Sequence, residues 1–123
     1  MNALPALLWI ALGGAAGSVA RAMMALSLPG RFPWATLLIN VLGSLLIGWL
    51  MARLGPIETG TAASLRGLLV TGFCGGFTTF STFSWQTLEQ MQKGLWGAAV
   101  ANVTLSVVLC LLATWVGFKL GRA

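Results

Sequence analysis

The chain has 123 residues, 58% of them hydrophobic and only 7% charged, with a formal net charge of +5 and no histidine. A soluble domain carries about a quarter charged residues, so water is not the main solvent of this protein. Its bases are scattered rather than gathered on one face, which excludes a nucleic-acid surface.

A helix needs roughly 20 apolar residues to cross the hydrocarbon of a bilayer. Windows at about 4–26, 33–53, 63–90 and 95–118 meet that need and leave almost nothing over. The predicted fold is an all-α membrane protein, a single four-helix transmembrane domain over 1–123. The first window is too long for a cleaved signal peptide. It carries Gly13, Gly14, Gly17 and Ser18, two overlapping small-xxx-small pairs that let helix backbones approach closely in lipid. Arg21 ends this run, and either snorkels to the headgroups or faces a wet cavity.

Pro29-Gly30 and Pro33 mark the first loop, and Trp34 sits where interfacial aromatics belong. In the second window Thr36, Asn40, Gly43 and Ser44 share one helical face. Asn40 is the one amide there, suited to an interhelical hydrogen bond or to a polar path. Gly55-Pro56 opens the second loop, which runs through Glu58 and Thr59 to Ser64.

The third window holds the most informative stretch, Gly72-Phe73-Cys74-Gly75-Gly76-Phe77-Thr78-Thr79-Phe80-Ser81-Thr82-Phe83-Ser84. Glycines that loosen a helix lead into hydroxyls and phenyl rings. Irregular backbone at membrane depth must be buried in protein or line a watery path, and broken helices mark ion or substrate sites. The third helix is therefore predicted to break near Gly75–Thr78. The alternative is that the glycines permit tight crossing and the rings fill space. In the fourth window Asn102, Ser106, Cys110 and Thr114 recur at i, i+4, i+8 and i+12, with Trp96 and Trp115 near the two ends. Cys74 and Cys110, the only cysteines, read as small buried hydrophobes rather than disulfide or metal ligands.

Arg53, Arg66, Lys119 and Arg122 fall on the side of the N-terminus, second loop and C-terminus; Arg21, Arg31 and Lys93 fall on the other. Orientation follows the excess of bases on the cytoplasmic side, and four against three is a weak bias. A chain of this kind can insert both ways up and pair with its inverted copy; a fixed topology is the alternative.

The only carboxylates are Glu58 and Glu89, in a loop and near a helix end. Hydroxyls are plentiful but no base stands ready to activate them, so the protein is not read as an enzyme. Proton coupling needs Asp, Glu or His inside the membrane. That requirement weighs against a small dual-topology secondary exporter of cationic compounds. A non-transporting helix-packing protein is the other competing reading. What remains is a passive path walled by neutral donors: the hydroxyls of Thr79, Ser81, Thr82, Ser84 and Ser106 and the amides of Asn40 and Asn102. Phe80 and Phe83, three apart, can turn the positive edges of their rings to an anion. Carbonyls freed at the break could equally coordinate Na⁺.

At these residues the chain resembles the Fluc (CrcB) family of fluoride channels, over nearly its whole length. The first-helix pattern from Gly13-Gly14 through Gly17 to Arg21 is similar, as is the second from Thr36-Leu37 through Asn40 and Gly43 to Gly48, and the run Gly72–Phe83 is the most specific match. The resemblance implies an antiparallel, dual-topology homodimer in the bacterial plasma (inner) membrane, in contact with lipid and its own second copy, with two fluoride pores. It implies that Phe80, Phe83 and Asn40 line the pores, with Thr79, Ser81, Thr82 and Ser106 on or beside a polar track, and Arg21 near a vestibule. It implies that the carbonyls of Gly75 and Thr78 hold a structural Na⁺ at the dimer centre. Two departures stand out: Ala22 follows the arginine where family members often have an aromatic residue, and Asn102 stands where many carry tyrosine. The implied task is export: HF crosses lipid, ionises at cytoplasmic pH and traps F⁻, which a passive channel releases.

Overall fold

The computed structural model describes residues 3–56 and 60–123. Glu58 and Thr59, read above as loop residues, lie outside that range. Helices α1 (Leu4–Ser27) and α2 (Trp34–Leu54) are followed by α3 (Gly60–Arg66), which runs into a π-helical segment (Gly67–Cys74) and the single turn α4 (Gly75–Phe77). Two extended residues then lead to α5 (Phe80–Gln92), and α6 (Trp96–Arg122) ends the chain. Three of these helices, α1, α2 and α6, are each long and apolar enough to cross a membrane. The third crossing is divided among α3, the π-helical segment, α4 and α5.

The exterior of the bundle is apolar: Leu7, Leu12, Met23, Val100, Leu111 and Trp115 all stand exposed, while Thr36, Thr87, Gln90, Asn102 and Ser106 are buried. That inversion is what a bilayer selects, since lipid wets Leu at no cost and every polar group must find a partner inside. Trp34 and Trp96 are exposed at the starts of α2 and α6. At the other end Arg53 lies over Trp49, Lys119 over Trp115 and Arg122 over Phe118, at 5.7, 5.8 and 5.3 Å. Such cation–ring pairs suit the headgroup layer, where one side chain is wet and its neighbour half-dissolved in lipid.

The helices pack as two parallel pairs. The Gly13–Gly17 face of α1 lies on the backbone of the third crossing, so that a methyl group on Gly17 would strike the carbonyl of Phe73. Lipid offers no hydrophobic drive for helix association, and close backbone contact, about 0.1–0.2 kcal/mol per atom pair, supplies it instead. Likewise Gly48 of α2 meets α6 at Thr114, and Gly117 of α6 meets α2 at Leu45. Both pairs run in register with increasing residue number, so alternate crossings are parallel and successive ones antiparallel. Arg66 donates from Nη1 to the Gly55 carbonyl at 2.7 Å, tying the start of the third crossing to the end of α2.

Candidate functional site

The helix breaks at Thr78 and Thr79, whose backbones are extended (φ −82°, ψ 155° and φ −149°, ψ 111°). Gly75 itself is helical (φ −63°, ψ −39°), and Gly76 lies in the α4 turn. The glycines therefore do not make the break. Gly76 instead packs against Gly14, as a tight crossing requires. The break lies near mid-membrane, because Phe77 meets Gly17 in the middle of α1 and the Thr78 methyl meets Gly43 in the middle of α2.

Asn40 holds the extended chain. Its Oδ1 accepts from the Thr79 N–H at 2.8 Å, and its Nδ2 donates to the Thr79 carbonyl at 3.1 Å. A side-chain amide carries one acceptor and two donors in a peptide-like plane, so it can stand in for a neighbouring strand. Thr79 Oγ1 caps α5 by accepting from the Thr82 N–H at 3.2 Å, and it donates to Thr82 Oγ1 at 3.0 Å. Ser81 Oγ is 3.5 Å from the same Thr79 hydroxyl. In an unbroken helix the N–H groups of Thr79 and Thr82 would serve the carbonyls of Gly75 and Thr78. Both donors are now engaged elsewhere, and those two carbonyls lose them.

A third carbonyl, that of Gly76, accepts from Arg21 Nε at 3.0 Å. The cation thus sits at the negative end of a helix, where charge and dipole agree. Hydrogen bonds to charged groups contribute about 1.5–3 kcal/mol. Arg21→Gln is expected to destabilise the protein by roughly that amount, with Arg21→Lys falling between because lysine lacks the planar fork. Thermal unfolding in detergent measures the order; equal melting of all three would take Arg21 out of the break.

Below the break opens a groove of about 650 Å³, lined by Asn40, Gly75, Thr78, Thr79, Phe80, Phe83 and Ser106 together with Thr71, Ser44 and Cys110. No carboxylate lines it among the described residues. Phe80 and Phe83 form a tilted pair, ring centroids 5.3 Å apart and planes at 49°. Phe83 is buried, whereas Phe80 is 79% exposed. The N-terminus of α5 starts at the groove, presenting its first N–H groups and the positive end of its dipole. The break thus parts two polarities: carbonyls toward α4, matched by Arg21, and amide donors toward the phenyl pair.

Of the residues picked from sequence, Arg21, Ser81, Thr82, Ser84 and Asn102 lie off this groove, Ser84 donating its hydroxyl back to the Phe80 carbonyl at 2.9 Å. Arg21 turns to the α4 carbonyl, and Ser81 and Thr82 surround the Thr79 hydroxyl. Asn102 is 1% exposed and donates from Nδ2 to Thr87 Oγ1 at 2.9 Å, between α6 and α5. Thr71 was not singled out from sequence, although its spacing to Gly75 and Thr78, i, i+4 and i+7, puts all three on one face. Among the described residues no group of three or more His, Cys, Asp and Glu could hold a metal, so a cation here would rest on main-chain carbonyls or on neutral side-chain oxygens such as those of Ser44, Thr71 and Thr78.

Over residues 8–118 the sequence matches the family described as CrcB-like protein, Camphor Resistance (CrcB). It is 49% identical over 117 residues to the fluoride-specific ion channel FluC of Opitutus terrae, covering 89% of this chain and 87% of that one. It is 46% identical over 120 residues to the fluoride-specific ion channel FluC of Geobacter sulfurreducens, covering 94% and 96%. The FluC of Magnetococcus marinus is 44% identical over 118 residues, covering 93% and 95%.

Proposed function

Because this chain belongs to the CrcB-like family, we propose that it is a passive fluoride-selective channel of the bacterial inner membrane, which lets F⁻ leave the cytoplasm and so limits its toxicity. The observation that carries the reading is a mid-membrane groove with no carboxylate among the described residues, faced by a helix N-terminus, hydroxyls and the Phe80–Phe83 pair. F⁻ is small and tightly hydrated, so a path must replace its water with donors. Here the α5 amides, the Ser106 hydroxyl and the ring edges are donors that repel nothing negative. Each is weak enough to release the ion, as conduction requires. Proton-coupled export is not supported, because Glu89, the carboxylate among the described residues, lies near the end of α5, 3.9 Å from Lys93.

The working unit in this reading is an antiparallel homodimer of dual topology. Gly75 and Phe80 are both exposed on the groove that carries the break, where a second copy could cover them. A two-fold axis in the membrane plane would bring two copies of the break together. The donor chemistry fits Na⁺ at that axis. The carbonyls of Gly75 and Thr78 have lost their helical donors and line the same groove. The ion would neutralise these oxygens and fix the two breaks to each other. The purified protein, reconstituted in liposomes loaded with fluoride, is expected to release it when a K⁺ gradient and valinomycin set the voltage, with chloride largely retained. A fluoride electrode reads the result; trapped fluoride that stays inside overturns the reading.

A further inference from the structure

The polar residues on the buried face of α5 continue past the groove. Phe83, Thr87 and Gln90 share that face at i, i+4 and i+7, and Ala99, Asn102 and Ser106 are buried on α6. Thr87 Oγ1 donates to the Phe83 carbonyl at 2.8 Å and accepts from Asn102 at 2.9 Å. Phe83 and Ser106 are groove residues, so this short chain of bonds starts at the groove and leads toward the α5–α6 turn.

Beyond it the bonding stops. Gln90 is 6% exposed, and neither its Nε2 nor its Oε1 has a hydrogen-bond partner among the described residues. Gln86 Oε1, one turn earlier, and Ser106 Oγ are buried and unpartnered as well. Buried polar atoms are almost always paired, and an amide with both ends unpaired is a strong exception. Gln90 is buried within one chain, out of reach of a second copy. The partner must be a small species. Two of the four atoms are amide oxygens, which need a donor that a bare anion cannot give; Gln90 Nε2 needs an acceptor that a bare cation cannot give. Water supplies both.

We propose that the α5–α6 seam holds ordered water at Gln86 and Gln90, and that this water rehydrates the anion after it passes Phe83 and Ser106, making the seam a wet branch of the ion path. The second half rests on the channel reading above. Water delivered at the end of a dry, ring-lined passage lowers the barrier to release, because the ion exchanges weak donors for its own solvent before the bundle ends.

Gln90→Leu and Gln90→Met remove the amide while keeping a good helix former of comparable length. Both are expected to elute as the wild type does and to carry fluoride at about one-tenth of its rate or less, the effect of losing one such hydrogen-bonding station. Wild-type flux in both variants overturns the inference and leaves the channel reading standing. No flux from the wild type overturns that reading, and the rehydration role with it. An independent readout covers the case in which both variants misfold. A structure of the unmodified protein that resolves solvent should show water within hydrogen-bond reach of Gln90 Nε2 and Gln86 Oε1; a dry, repacked amide there overturns the proposal.

Discussion

Asn40→Ala is expected to cut fluoride efflux by at least about 100-fold while the rest of the bundle stays folded. Asn40 supplies both partners of the Thr79 peptide, at 2.8 and 3.1 Å. Without it a backbone donor and a backbone acceptor stand unpaired near mid-membrane, at about 1–3 kcal/mol each. The cheapest repair is local: the Thr79 N–H can return to the Gly75 carbonyl and close the break. That repair turns the first residues of α5 away from the groove and withdraws the donors that the ion needs. Asn40→Asp separates geometry from charge. The carboxylate still accepts from Thr79 N–H, loses the bond to the Thr79 carbonyl and puts a negative charge beside an anion path. Flux should vanish there too, with a loss of thermal stability at least as large as in Asn40→Ala, because an ionised carboxylate at membrane depth then faces the Thr79 carbonyl oxygen. Efflux by fluoride electrode, with melting in detergent alongside, tests both. Conduction within twofold of wild type in Asn40→Ala would mean that the break does not position the path.

The second large effect is expected at the phenyl pair. Phe80→Ile and Phe83→Ile keep apolar bulk and remove the ring edge with its positive rim. Each should lower fluoride flux at least about tenfold, roughly the weight of one aromatic contact made as the ion passes. The two sites differ in what else they cost. Phe83 is buried, so its replacement by a smaller side chain also disturbs packing, at about 1–3 kcal/mol. Phe80 is 79% exposed in the single chain, and its replacement should leave the fold of that chain intact. A flux loss in Phe80→Ile at unchanged elution and melting is therefore attributable to the ring edge. Unchanged flux in both variants would reduce the pair to space-filling.

Much of this was legible in the residues because it is local. Four apolar windows of bilayer length dictate transmembrane helices, since hydrocarbon tolerates no unpaired backbone. The Gly13–Gly17 spacing specifies a close crossing because a helix repeats its faces at three and four residues. The rarity of carboxylates weighs against enzymatic and proton-coupled chemistry before any coordinate is known. Thr79 and Phe80–Phe83 could be chosen because hydroxyls and rings crowd the one stretch where the helix is expected to fail.

The position and cause of the break belong to tertiary structure. Sequence reading put it near Gly75–Thr78 and attributed it to glycine; the chain opens at Thr78–Thr79 and keeps Gly75 helical. Glycine only permits a departure from the helix, whereas a departure at membrane depth needs replacement partners. Those come from Asn40, 39 residues earlier, and from Arg21, 55 residues before the Gly76 carbonyl it serves. The same holds for Asn102, whose stripe with Ser106 was plain but whose partner Thr87 lies on another helix. Composition and period determined that this protein is helical, membrane-bound and free of mid-membrane acid. Which buried polar group meets which was decided only when the four crossings packed, because a hydrogen bond depends on proximity in space and the spacing of residues along one helix does not encode the neighbour on the next.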